Sequence, residues 1–267
     1  MSLGILITPY LEHGTMNPSS IKTNQKIYFF GTCLIDVFYP NAGVSAVTLL
    51  ERQGVEVLFP QDQSCCGQPA YNSGYREEAF TVARKQLALF PQPIPIVVPS
   101  GSCAGMMKHH YPRLFAGHPL EPVALDVASR VYEFTEYMVK VLKVSLIDLG
   151  KPIHVALHTS CSSRREMHVS DCGQLLLNQL NNVTWQEPQR AEECCGFGGT
   201  FAVKQPEVSA AMAEDKCQAI TDTGASKLVS GDCGCLMNLS GTIAKRTAPV
   251  KSAHIAEFLL ERTQGEI

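Results

Sequence analysis

The sequence predicts an α/β protein made of two pseudo-equivalent three-layer units, each a small, mostly parallel sheet flanked by helices. Three observations carry that prediction. Short apolar runs alternate with stretches of helical spacing, the pattern of parallel strands joined by crossover helices. Cysteines recur at a near-constant offset: Cys33 and Cys161 lie 128 residues apart, and the pairs Cys65–Cys66 and Cys194–Cys195 lie 129 apart. In each repeat the cysteines fall where the apolar runs end, so a parallel sheet carries them to one edge, where such folds bind their ligands. The repeat divides the chain into a first unit over 26–150 and a second over 151–267, preceded by a tail over 1–25.

The tail, "MSLGILITPYLEHGTMNPSSIKTNQ", has no core patterning, no basic leader and no small-residue cleavage site, so it is not expected to be a signal peptide. In the first unit "KIYFFGTC" reads as a strand ending at Cys33. A helix follows, with Val44, Val47 and Leu50 at helical spacing and Gly54 as its stop. "VEVLFP" is a second strand leading into the Cys65-Cys66-Gly67 loop. A second helix runs from Arg76 to Phe90, with Ala79, Val82, Ala83, Leu87 and Phe90 on one face. "IPIVVPSGSC" is the third strand, ending at Cys103, and 126–149 reads as a helix linking the halves. The second unit repeats the plan with "IHVALHTSC", "NNVTWQEP" and "KLVSGDCGC", and "AHIAEFLLER" matches the linking helix.

Composition narrows the function. At 267 residues, 45% apolar and 18% charged, the chain has the makeup of a globular protein. A net charge of −3 leaves no basic footprint for nucleic acid. No apolar run reaches the roughly 20 residues of a transmembrane segment. Neither first strand is followed by G-x-G-x-x-G, and no Walker loop is present, so neither NAD nor flavin is expected.

Eleven cysteines without an export signal point to a cytoplasmic protein whose thiols bind metal or do redox chemistry. Vicinal cysteines are poor partners for each other, because a bridge strains the peptide between them. Each unit then offers four sulfurs at one place: Cys33, Cys65, Cys66 and Cys103 in the first, Cys161, Cys194, Cys195 and Cys235 in the second. Structural zinc prefers cysteine pairs separated by two to four residues. Adjacent sulfurs suit a cluster whose several irons can each take one, and four cysteines are the usual complement of an iron–sulfur cluster. One cluster per half is therefore expected, with glycine after each pair letting the backbone turn.

Other residues have plainer readings. Cys172 and Cys217 read as buried small hydrophobes. Cys233 is either a spare thiol or an extra ligand. His158, three residues before Cys161, is either a satisfied histidine or a hydrogen-bond partner of a cluster sulfur. Arg164 and Arg165 read as surface arginines, with the carboxylate of an acid substrate as the alternative. No catalytic residue is assigned.

The doubled pattern resembles the cysteine-rich CCG domain of heterodisulfide reductase and of the glycolate oxidase iron–sulfur subunit. "PSGSCAGMMKHHYP", "ALHTSC", "CCGFGGTFAVKQPEVS" and "GCLMNLSG" are similar to the lactate utilization protein A family, and the likeness covers about residues 26 to 262. The resemblance implies an iron–sulfur oxidoreductase subunit taking part in the oxidation of L-lactate to pyruvate, with electrons passing through Cys-ligated clusters. It implies two partners, a ferredoxin-like iron–sulfur subunit and a third small subunit. The domain's closing C-x-x-C reads Cys103-Ala104-Gly105-Met106 in one half and Asp232-Cys233-Gly234-Cys235 in the other. At the 129-residue offset Cys103 then matches Asp232, and Met106 matches Cys235. With four cysteines per unit, a 4Fe-4S cubane fits better than the five-cysteine non-cubane cluster. Two alternatives stay open: a heterodisulfide-reductase-like thiol–disulfide redox protein, and a non-catalytic zinc-bound scaffold.

Overall fold

A computed structural model describes residues 25–246 and 250–264, so the tail expected over 1–25 lies, apart from Gln25, outside the described residues. Strands β1 (Gln25–Phe29), β2 (Val55–Leu58), β3 (Ile96–Val98) and β4 (Val131–Glu133) form one parallel sheet in the order β2-β1-β3-β4. Strands β5 (Ile153–His158), β6 (Val183–Gln186), β7 (Lys227–Ser230) and β8 (Lys251–His254) repeat it as β6-β5-β7-β8. The two α/β units expected from the repeat are present.

Helices α1 (Cys33–Phe38), α2 (Pro40–Glu51), α3 (Arg76–Leu87), α4 (Gly101–Gly105) and α5 (Glu121–Ser129) belong to the first unit. Helix α6 (Phe134–Glu136) continues in wider π turns through Leu142. The second unit holds α7 (Cys161–Arg165), α8 (Ser170–Leu177), α9 (Pro206–Thr221), α10 (Cys233–Ile243) and α11 (Ile255–Gln264).

Each sheet has four strands where three were expected. β4 and β8 are three or four residues long and run straight into α6 and α11, so helical spacing in the longer segment hides them. The single helix expected over 126–149 is accordingly broken into the end of α5, β4 and α6. Helix α2 lies where the first helix was expected, but its buried stripe is Ala42, Ala46, Leu49 and Leu50, while Val44 is 64% exposed. Helix α3 buries Ala79, Ala83 and Leu87 as expected, and Phe90 packs just beyond its end.

Both faces of the central strands β1, β3, β5 and β7 are covered, as apolar runs in parallel sheets require. Ile27 and Phe29 of β1 point into one core, and Tyr28 and Phe30 into another, following the two-residue period of a strand. The first of these cores is shared, because Val155 and Leu157 of β5 and Val229 of β7 enter it as well. Helix α11 packs across the boundary on α2, and the π-turn segment after α6 packs on α8. The units thus exchange their last helices reciprocally. The Arg262 guanidinium on α11 lies 2.6 Å from the Asp148 carboxylate in the linker, with both side chains hidden from solvent. It also donates to the Lys151 carbonyl at 2.7 Å.

Candidate metal centres

All the cysteines named as ligand candidates sit at the carboxyl edge of their sheet. Cys33 opens α1 directly after β1, and Cys161 opens α7 directly after β5. The vicinal pairs occupy the loops after β2 and β6. Cys103 and Cys235 are each the third residue of the helix that follows the third strand.

Their sulfurs meet in two groups. In the first, Cys33 and Cys66 both hydrogen-bond to the Cys65 sulfur, and Cys66 Sγ lies 3.4 Å from Cys103 Sγ. In the second the chain of contacts is Cys161–Cys194–Cys195–Cys235.

The backbone around each pair is held for this purpose. Gly67 and Gly196 have φ of +88° and +85°, a left-handed conformation that a side chain strains. Their amides donate to Cys65 Sγ and Cys194 Sγ, both at 3.4 Å. Crowding adds to the demand for glycine: a Cβ on Gly196 would sit 2.7 Å from the Ser209 carbonyl oxygen, and one on Gly67 3.2 Å from that of Ala79. Tyr111 Oη donates to the Cys66 carbonyl at 2.9 Å, and Asn238 Nδ2 donates to the Cys195 carbonyl at 2.8 Å. Sequence reasoning missed both anchors, since nothing at their positions marks them.

Four thiols this close cannot all ionise, because each thiolate opposes the next. Hydrogen bonding from Cys33, then from Cys66, lowers the Cys65 thiol to about 3, and the same bond raises Cys33. Cys194 is lowered to about 2 by hydrogen bonds from Cys161 and then Cys195, and Cys161 is raised in turn. Cys66 is raised by its hydrogen bond to Cys103, and Cys195 by its bond to Cys194. A cationic centre removes the conflict, since a coordinating thiol loses its proton outright. The all-sulfur donor set, gathered from three strand ends with two neighbouring sulfurs, fits an iron–sulfur cluster better than one small ion.

The strand register changes one expected correspondence. Tyr28 pairs with Ile96 in the first sheet, and Ala156 with Leu228 in the second. The third strands are therefore offset by 132 residues, because the second unit has three more residues between its vicinal pair and its third strand. Cys103 is thus equivalent to Cys235, not to Asp232, and Met106 is not the partner of Cys235. Ser100 and Asp232 are equivalent instead, each capping its helix through a side-chain oxygen.

Asp232 also joins the units. Its Oδ1 accepts from the Gly234 amide at 3.1 Å, while Oδ2 accepts from the Ser102 amide at 3.0 Å and from Ser100 Oγ at 3.2 Å. Cys233, equivalent to Gly101, packs with Ile35 and Ala42 of the first unit. Burial raises its thiol, with Asp232 adding to the effect.

The remaining candidates separate cleanly. Cys172 and Cys217 are buried, and desolvation lifts their thiols to about 12 and about 11. Arg164 pairs with Glu187, and Arg165 donates to the Glu192 carbonyl at 2.8 Å. His158 is buried at the second centre, where a ring nitrogen and the sulfurs of Cys195 and Cys235 lie within 4.8 Å of one another. Among the described residues, no helix is long and apolar enough to cross a membrane.

The chain is similar to known proteins. The cysteine-rich domain family CCG matches residues 27–108 and 155–240, one copy per sheet. Lactate utilization protein A of Oceanobacillus iheyensis is 43% identical over 246 residues, which is 91% of this chain and 100% of that protein. The proteins of that name from Geobacillus kaustophilus and Bacillus cereus are 43% and 41% identical, covering 89% and 90% of this chain and 100% of theirs. A crystal structure of a hypothetical protein from Helicobacter pylori has the same fold, with a TM-score of 0.62 at 13% identity over 96% of this chain and 52% of that one. With two CCG domains and full-length relatives at this level of identity, the chain belongs to the lactate utilization protein A family of tandem CCG cysteine-rich proteins.

Proposed function

We propose that the chain is an iron–sulfur oxidoreductase subunit taking part in the oxidation of L-lactate to pyruvate. Cys33, Cys65, Cys66 and Cys103 would hold one 4Fe-4S cluster, and Cys161, Cys194, Cys195 and Cys235 a second. The observation that carries this reading is the convergence of four sulfurs, twice, at equivalent sheet edges. Bound there, such clusters accept and pass on single electrons. Conversion of lactate to pyruvate releases two electrons and two protons, so two one-electron centres on one chain match the stoichiometry. The chain's own residues hold the sulfurs in place: Gly67 and Gly196 turn the loops, Tyr111 and Asn238 fix the vicinal carbonyls, and Asp232 ties the centres together.

Lactate as substrate is supported by the names of the relatives. The partners in this proposal are a ferredoxin-like iron–sulfur subunit and a third small subunit, working in the cytoplasm. The test is to mix anaerobic complex, assembled with those partners, with L-lactate and to follow the iron–sulfur absorbance. Bleaching by lactate is the expected result. Absorbance that responds to a mixed disulfide and ignores lactate would favour thiol–disulfide chemistry instead.

A further inference from the structure

The two cysteine groups share one plan, but their surroundings differ at one position. Three residues before Cys33 stands Phe30, fully buried in an apolar core. Three residues before Cys161 stands His158, at the end of β5. Its side chain is buried, and both ring nitrogens lack a hydrogen-bond partner among the described residues. An imidazole hidden from water with neither nitrogen satisfied is costly to fold. One ring nitrogen lies within 4.8 Å of both Cys195 Sγ and Cys235 Sγ. His158 also lines a small cavity of about 20 Å³ with Glu133, Ser160, Ser163, Val169 and Ile255. The residue thus borders both the second sulfur group and a small cavity.

We infer that His158 is a positioning residue of the second centre, giving an imidazole N–H to a cysteine sulfur that holds the cluster and so making this centre easier to reduce than the first. The inference rests on the iron–sulfur reading given above. An imidazole carries at least one N–H to donate, and here it sits beside the sulfurs with no other partner among the described residues. Four cysteines already complete the ligand set, so the ring is left to hydrogen-bond a sulfur. Hydrogen bonds to cluster sulfurs withdraw electron density and raise the reduction potential. At the equivalent place in the first unit Phe30 offers no N–H, so the electron on a half-reduced chain resides in the second centre.

The test is a redox titration followed by electron paramagnetic resonance on anaerobic wild type, His158→Phe and His158→Asn. Wild type is expected to show two potentials. His158→Phe should keep its iron and lower only the higher potential, by at least a tenfold change in the equilibrium, which is about 59 mV for a one-electron couple. His158→Asn, which keeps an N–H, should recover part of the difference. Unmoved potentials in iron-replete His158→Phe would overturn the inference alone. A wild type without iron would overturn the iron–sulfur reading and this inference with it. Unaltered protein labelled with ¹⁵N-histidine gives a readout that does not depend on a variant folding. Weak nitrogen coupling to the second centre is expected; strong coupling would mark a direct ligand and contradict donation to sulfur, and no coupling would contradict contact.

Discussion

The Asp232 carboxylate accepts the Ser102 amide at 3.0 Å, so one side chain caps a helix at the second centre and grips the backbone beside Cys103 of the first. Asp232→Ala removes a helix cap and leaves the half-buried Ser102 amide without its acceptor. It should destabilise the protein by about 1–3 kcal/mol. Asp232→Asn should cost less, since one oxygen can still accept. Denaturant unfolding of the two variants, with iron content measured beside it, checks both the order and the effect on the first centre.

Gly196→Ala should be more damaging than Gly67→Ala. Both force a side chain into left-handed backbone, at about 1–3 kcal/mol each, but only at Gly196 does the new Cβ come within 2.7 Å of a backbone oxygen. The expected result is loss of the second centre's iron in Gly196→Ala, with a partial loss at the first centre in Gly67→Ala. Iron retained in full by Gly196→Ala would contradict the assignment of that loop.

Glu133 makes stability depend on pH. Desolvation raises its carboxyl from 4.5 to about 7, with hydrogen bonds from Thr135 and the Glu136 amide opposing the shift. A folded-state pKa above the unfolded value means that the folded protein holds its proton longer. The associated stability is full below about pH 4.5 and is lost as pH rises through 7. The loss should approach roughly 3 kcal/mol. Glu133→Gln, which keeps the acceptor oxygen, should flatten this part of the profile and be more stable than wild type at pH 8. Unfolding curves from pH 5 to 8 measure it.

Arg262→Ala should destabilise the protein by about 3–5 kcal/mol, because Asp148 would be left as a buried charge without its partner. The pair fastens α11, which covers α2 of the other unit, so the loss should weaken the association of the halves. Replacing both partners with apolar residues should restore much of the stability. A double variant no better than Arg262→Ala would show that the pair, not the stranded charge, carries the effect.

Much of this architecture was legible in the sequence, for reasons that individual residues make plain. Cysteines at strand ends report the sheet edge directly, and the repeat of Cys33, Cys65 and Cys66 at Cys161, Cys194 and Cys195 reports two units. β4 and β8 escaped notice because strands of three or four residues leave too little alternation beside a helix. The match of Cys103 to Cys235 was hidden by a three-residue length difference, which only hydrogen-bond register reveals. Val44 shares helical spacing with Leu50 yet is exposed, because spacing alone does not say which side of a mostly apolar helix meets the core. The cross-unit role of Asp232 is a long-range contact that no local pattern encodes, and the spacing of His158 to Cys161 leaves two readings open until its place beside Cys195 and Cys235 is seen.

Iron and acid-labile sulfide analysis of anaerobically purified protein, wild type beside Cys195→Ser, tests the central claim most directly. Two four-iron centres predict about eight irons per chain in the wild type, falling to about four when Cys195 no longer offers its sulfur. A colourless wild type carrying stoichiometric zinc, or an iron content that ignores the substitution, would contradict it.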